Sequence, residues 1–267
     1  MEISFQEKEL FLLDMDGTMW IEKQWIDGAL NFLEECKRQK KQYVFLTNNS
    51  SRSNAAYVEK LHSMGLIDAT PQQVFTSGEA TVLYLKEQKP DCLVYLMGTA
   101  SLRKEFQKAG IQVTDSLSPV PDFAVAAFDR ELTYEKLEKM CWLLDHGVEF
   151  VATNVDKVCP IENGRFIPDC ASMCSMLENA TGRIPKYIGK PEPDMIWTVC
   201  KKFGIPLEKT VMVGDRLYTD IAAGAAAGVT TVCVLSGEST LADVEASSTK
   251  PDCLLPSILQ LYEQIKK

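Results

Sequence analysis

Short runs of β-branched and aromatic residues alternate along this chain with stretches whose apolar residues recur at helical spacing. That alternation is the signature of βαβ units laid on a parallel sheet. Leu10-Phe11-Leu12-Leu13 reads as the first strand and ends in Asp14. Asp27 is placed to cap a helix with Leu30, Leu33 and Cys36 on one face, and Tyr43-Val44-Phe45-Leu46 follows as the next strand, ending in Thr47. Ser53 can cap a further element whose Tyr57, Val58, Leu61 and Met64 form a stripe that stops at Gly65.

From about residue 80 to 182 the alternation continues with its own strands, Leu93-Val94-Tyr95-Leu96-Met97, Phe123 to Phe128 and Phe150 to Thr153. The clearest helix there carries Leu137, Met140, Cys141 and Leu144 before Gly147. Beyond it come strands at Thr210 to Val213 and Thr230 to Leu235, a helix around Ile221 to Ala227 and a last helix near Ile258 to Ile265. The expected organisation is a doubly wound parallel-sheet α/β core in two parts, 1–80 and 183–267, with an α/β domain inserted at 81–182. The 267 residues are about 1.8 times a typical domain, which suits two units.

An apolar share of 46% and a charged share of 24% exclude disorder and a coiled coil. The formal charge of −9 works against a nucleic-acid partner, since the densest cationic run, Lys37-Arg38-Gln39-Lys40-Lys41, falls where a helix should end. Nine cysteines, an odd number with no Cys-x-x-Cys pair, are the usage of a reducing compartment. Cys170 and Cys174 share a helix face, but no His or further Cys stands near to complete a zinc site, so they read as core. The acidic N-terminus lacks a leader's apolar stretch and no 18 apolar residues run together, so a soluble cytoplasmic chain with no membrane partner is expected.

Four polar clusters fall at or just beyond strand ends: Asp14-Met15-Asp16-Gly17-Thr18, Thr47-Asn48-Asn49, Gly189-Lys190-Pro191 and Gly214-Asp215 through Asp220. On a parallel sheet that edge binds ligands, so the clusters can converge on one crevice. Two carboxylates spaced like Asp14 and Asp16 can divide the work of attack and proton transfer, although an Asp-rich turn leaving a strand has the same spelling. Thr47, the main-chain N–H groups of Asn48 and Asn49, and the Lys190 ammonium suit phosphoryl oxygens. Taken singly, Asn48-Asn49 is also an ordinary turn, and Gly189-Lys190-Pro191-Glu192-Pro193 an ordinary loop entering a helix at Pro193. Asp215 and Asp220 add hard oxygen donors that suit Mg²⁺, while Asp220 could equally pair with Arg216 on one helical turn.

Leu12-Leu13-Asp14-Met15-Asp16-Gly17-Thr18, Thr47, Lys190 and Gly214-Asp215 with Asp220 resemble, in order, motifs I to IV of the haloacid dehalogenase (HAD) superfamily. Phe45 to Ser50, Ile188 to Pro193 and Gly214 to Asp220 resemble its NagD/p-nitrophenyl phosphatase branch, which carries a large type-2 α/β cap between motifs II and III. The resemblance implies a Rossmann-like core and a Mg²⁺-dependent phosphomonoester hydrolase of a small cytosolic metabolite. Candidates are a sugar phosphate, nucleotide monophosphate, pyridoxal phosphate or phosphoglycolate. It also implies Asp14 as nucleophile, Asp16 as general acid and then base, and Thr47 and Lys190 gripping phosphoryl oxygens. Mg²⁺ would be held by Asp14, the Asp16 carbonyl and Asp215, with Asp220 in support. Branch members often dimerise through the cap, so a homodimer is an expectation of the same kind.

The inserted domain departs from the branch pattern at Asp156 to Arg165, where Asn154, Asp156 and Arg165 are candidate substrate contacts or a solvated loop. Two other readings compete with the hydrolase: a phosphoryl-accepting signalling module, and a catalytically silent binding protein. The first lacks a reason for Asp16, and the second is at odds with a full set of acids. His62 and His146, the only histidines, sit in helical segments, so a Ser-His-Asp or Cys-His mechanism is not expected. Trp20 and Trp25 follow the first motif closely and read either as a flap beside the site or as ordinary packing.

Overall fold

A computed structural model describes residues 3–161 and 165–266. Backbone contacts divide the chain into two compact units, one of Met1–Thr47, Lys60–Phe75 and Lys190–Lys267, the other of Asn48–Glu59 and Thr76–Gly189. Asn48–Glu59 thus falls within the second unit, although the sequence pattern groups it with the first core segment.

The first unit is built on a six-stranded sheet in the order Cys253–Leu255, Thr230–Val234, Thr210–Gly214, Leu10–Leu13, Gln42–Thr47, Val74–Thr76. The central strand, Leu10–Leu13, pairs in parallel with Thr210–Gly214 on one side and Gln42–Thr47 on the other, with Leu13 opposite both Val213 and Phe45. Its four side chains are all fully buried, as a strand covered on both faces requires. Strand order reverses at this position, so the connections leaving Leu10–Leu13 and Thr210–Gly214 run to opposite sides, the place where an open parallel sheet binds ligands. Helix Ala29–Arg38 packs on Ile258–Ile265, and Asp194–Phe203 on Ala222–Ala227. The cationic run does end a helix: Lys37 and Arg38 close Ala29–Arg38.

The second unit holds a five-stranded parallel sheet in the order Lys186–Tyr187, Glu149–Ala152, Phe123–Ala126, Leu93–Met97, Gln112–Thr114. Helices Tyr134–Asp145 and Cys170–Thr181 pack together, and Met140, Leu144, Phe150, Cys170 and Cys174 share one buried core. Cys170 and Cys174 are therefore packing residues, as expected. A hairpin of Val158–Ile161 and Arg165–Pro168 occupies the divergent segment, and the Glu162, Asn163 and Gly164 of that reading lie outside the described residues. Arg165 is exposed at the hairpin's second strand.

Two local expectations change. Asp27 does not cap the first helix: the cap is Gly28, left-handed at φ 82°, with no side-chain bond. Leu259 stands 2.7 Å from where a Cβ would lie at Gly28, so close packing on the last helix fixes the entry instead of a carboxylate. The turn at Leu217–Ile221 winds as a π-helix before Ala222–Ala227 begins, a geometry often found at functional sites. Among the described residues no helix is long and apolar enough to cross a membrane.

Candidate active site

Asp14 leaves the carboxyl end of the central strand, and Asp215 directly follows its neighbour Thr210–Gly214, so strand pairing brings residues some 200 positions apart side by side. The π-helical turn then folds Asp220 back under Gly214. A Cβ at Gly214 would lie 2.3 Å from that of Asp220, so only glycine leaves room for the acid. Asp14, Asp215 and Asp220 each present an oxygen within 4.8 Å of the others.

Lys190 reaches this cluster from the loop after Gly189, almost wholly buried at 2% exposure. Its ammonium donates to Asp14 Oδ1 at 2.6 Å, Asp220 Oδ1 at 2.6 Å and the Leu46 carbonyl at 3.0 Å. Burial works against that charge, but Asp14 and Asp220 outweigh it and hold the Lys190 pKa above its ordinary value. Asp220 Oδ2 also accepts the Arg216 main-chain N–H at 3.1 Å, so the acid meets its neighbour through the backbone while its other oxygen serves Lys190.

Asp215 accepts from the Thr18 hydroxyl at 3.2 Å and from the Glu238 N–H at 2.7 Å. Ser236 closes the same loop by donating to the Gly17 carbonyl at 2.7 Å. Gly17 is left-handed at φ 88°, and a Cβ there would lie 2.6 Å from Asp215 Oδ2, so the first motif's glycine both turns the chain and admits the second acid. The Ser236-Gly237-Glu238 loop carries no signal in the sequence beyond a turn-forming composition.

Burial, with Asp14 and Asp220 repelling, pushes Asp215 up to about 7. Burial and Asp14 push Asp220 up to about 6, against the pull of Lys190. Asp215 and Asp220, raised by burial and by neighbouring carboxylates, stand with Asp14 as a set of hard oxygen donors that suits a divalent cation.

Asp16 stands apart, with its side chain 57% exposed. Its Oδ1 accepts the Trp20 indole N–H at 2.7 Å, and Lys60 Nζ lies 3.8 Å away. Its pKa is raised: partial desolvation is the largest cause, Asp14 adds to it, and Lys60, Trp20 and Arg216 oppose it. Trp20 is fully buried and Trp25 caps it edge-on at 5.3 Å, in a hairpin of Trp20–Ile21 and Gln24–Trp25. Trp20 is thus both packing and a polar partner of Asp16, a role the sequence did not disclose.

The first unit therefore gathers Asp14, Asp16, Thr47, Lys190, Asp215 and Asp220, with Thr47 buried at the end of its strand. Asn48, Asn49, Asn154 and Asp156 belong to the second unit. There Asp156 Oδ2 accepts from the Asn48 amide at 2.7 Å and the Asn154 amide at 2.9 Å, and Asn154 also donates to Asp169 at 3.0 Å. Asn49 folds onto Ser51, accepting from its N–H at 3.0 Å and its hydroxyl at 2.7 Å. His62 bonds the Ala69 carbonyl and His146 stacks on Trp142, so neither histidine joins the acids.

Residues 11–112 match the model of the haloacid dehalogenase-like hydrolases, and residues 187–261 match an HAD-hydrolase-like model. An acid sugar phosphatase of Staphylococcus aureus is 33% identical over 262 residues, 98% of this chain and all of the relative. Among solved structures, a 4-nitrophenylphosphatase from Thermotoga maritima superposes with a TM-score of 0.93 at 41% identity, over 99% of this chain and 100% of that one. NagD from E. coli K-12 gives 0.86 at 32% identity, over 95% and 97%.

Proposed function

This chain belongs to the haloacid dehalogenase-like hydrolases and is a phosphatase, and from that premise we propose a Mg²⁺-dependent phosphomonoesterase that works through an aspartyl-phosphate on Asp14. The observation that carries the reading is the convergence of Asp14, Lys190, Asp215 and Asp220 at one sheet edge. Asp14, the Asp16 main-chain carbonyl and Asp215, supported by Asp220, would hold Mg²⁺, which when bound offsets the repulsion between a carboxylate and a phosphate ester.

The residues then divide the work. An Asp14 oxygen attacks phosphorus; the bond to the ester oxygen breaks with its electron pair, and Asp16 gives that oxygen a proton. Water next attacks the aspartyl-phosphate and passes its proton to Asp16, the bond from phosphorus to Asp14 breaks, and inorganic phosphate leaves. Thr47 and Lys190 bind phosphoryl oxygens, and the N–H groups of Asn48 and Asn49 extend that grip.

The substrate is a small phosphorylated metabolite. A sugar phosphate is the first choice because relatives carry the name acid sugar phosphatase, with a nucleotide monophosphate as the alternative. Asn154 and Asp156 are proposed to shape the leaving-group side through their shared network. We place the enzyme in the cytoplasm from its cysteine usage, without a nucleic-acid partner because of its acidic charge and without a membrane partner because no long apolar run occurs, and propose a homodimer through the inserted domain from the resemblance to the branch.

The test is phosphate release from p-nitrophenyl phosphate and a panel of phosphorylated metabolites, with Mg²⁺ or EDTA, for wild type and Asp14→Asn. Mg²⁺-dependent turnover that vanishes in the variant is expected. A wild type inert on the whole panel overturns the reading, and a phosphoryl-enzyme that persists for minutes moves it to a signalling module.

A further inference from the structure

Asp16 has two carboxyl oxygens, and the structure treats them differently. Oδ1 accepts the Trp20 Nε1–H at 2.7 Å and faces Lys60 Nζ at 3.8 Å. Among the described residues none hydrogen-bonds Oδ2. The indole N–H can only donate, so an oxygen paired with it is kept as an acceptor.

That donor is fixed in place. Trp20 is fully buried, with Trp25 edge-on at 5.3 Å and Phe45 at 5.7 Å. The Gly17 N–H donates to the Trp20 carbonyl at 2.8 Å, which ties the hairpin back onto the Asp-containing turn. Lys60 Nζ lies 4.6 Å from the centroid of the Trp20 ring, so one ammonium steadies both the indole face and the carboxylate beside it. A buried indole N–H needs a partner, and here the partner is a carboxylate on the turn that follows Asp14.

We propose that Trp20, with Lys60 over its ring, is the positioning residue for proton transfer by Asp16: it reserves Oδ1 as an acceptor and leaves Oδ2 to carry the proton to and from the reacting oxygens. The inference rests on the reading of Asp16 as general acid. Its consequence is selective. An alkyl phosphate releases a strongly basic alkoxide that must be protonated as the bond breaks, whereas p-nitrophenyl phosphate releases a weakly basic phenolate that leaves with little help.

The experiment compares kcat/KM, which reports steps up to release of the leaving group, for a hexose phosphate and for p-nitrophenyl phosphate in the Mg²⁺-supplemented enzyme. Trp20→Phe keeps the ring and removes the N–H. It is expected to lose roughly 10-fold or more on the alkyl ester and less than about 3-fold on the aryl ester. Lys60→Met is expected to show the same selectivity more weakly, and it carries the test if Trp20→Phe does not fold. Asp16→Asn separates the general-acid role of Asp16 from its positioning by Trp20. Selective loss in Asp16→Asn and in the positioning variants supports the proposal. Selective loss in Asp16→Asn with equal effects on both esters in the positioning variants overturns it and leaves the general-acid reading standing. No selective loss in Asp16→Asn overturns both.

Discussion

Lys190 Nζ stands 2.6 Å from Asp14 Oδ1, although 176 residues separate them in the chain. The same ammonium lies 2.6 Å from Asp220, so one buried cation bridges two acids that would otherwise repel each other.

Removing that bridge should therefore cost stability as well as activity. In metal-free buffer near pH 8, Lys190→Met is expected to lower unfolding stability by about 3–5 kcal/mol, the usual consequence of leaving buried charges unpaired. Below pH 6 the loss should shrink, because Asp220, already pushed up to about 6, takes a proton and drops its charge. Denaturant unfolding at the two pH values measures this, and equal losses at both would show that the charge is not what the lysine offsets.

The acidic cluster should bind its cation without any substrate. Adding millimolar Mg²⁺ is expected to raise the melting temperature of the wild type by several degrees and that of Asp215→Asn by much less, since ligand bound only to the folded state stabilises it. Asp215→Asn keeps the shape of the side chain and its acceptor for Glu238, so a normal shift in the variant would remove Asp215 from the metal site.

Asp156 bonds two buried amides, those of Asn48 and Asn154. Asp156→Ala removes a charged acceptor from both amides, at about 1.5–3 kcal/mol for each hydrogen bond lost, so the melting temperature should fall. A direct substrate contact would instead raise KM at unchanged melting temperature, and measuring both quantities separates the roles.

Glu105 takes the Asn54 N–H at 3.3 Å, and burial, with Glu79 repelling, pushes its pKa from 4.5 to about 7. The folded state therefore keeps a proton that the unfolded chain has already released. This group's contribution is present below pH 4.5 and lost as pH rises to about 7, by up to about 3 kcal/mol. Glu105→Gln should flatten that part of the stability curve relative to wild type; identical curves from pH 4.5 to 8 would contradict the assignment.

The fold was legible where periodicity is long. The strand at Leu10–Leu13, the helix at Ile258–Ile265 and the packing of Cys170 and Cys174 all follow from apolar spacing. Elements of two or three residues, such as Trp20–Ile21, Gln112–Thr114 and Lys186–Tyr187, are too short to show a period, and the pairing that defines them comes from distant strands.

The sequence by itself determined the chemistry available: two acids on one strand end, two more after a later strand, a threonine, a lysine, and an ordering of strands that must bring such ends to one edge. Only the tertiary structure decided how the groups pair. Lys190 divides itself between Asp14 and Asp220, Asp215 is held by Thr18 and the Glu238 backbone, and Trp20 takes one oxygen of Asp16. The physical reason is that strand-end positions are set by local pattern, while a hydrogen-bond partner is chosen by distance in space. In this chain that distance depends on π-helical winding at Leu217–Ile221 and on glycines at 17 and 214 that let acids approach the backbone.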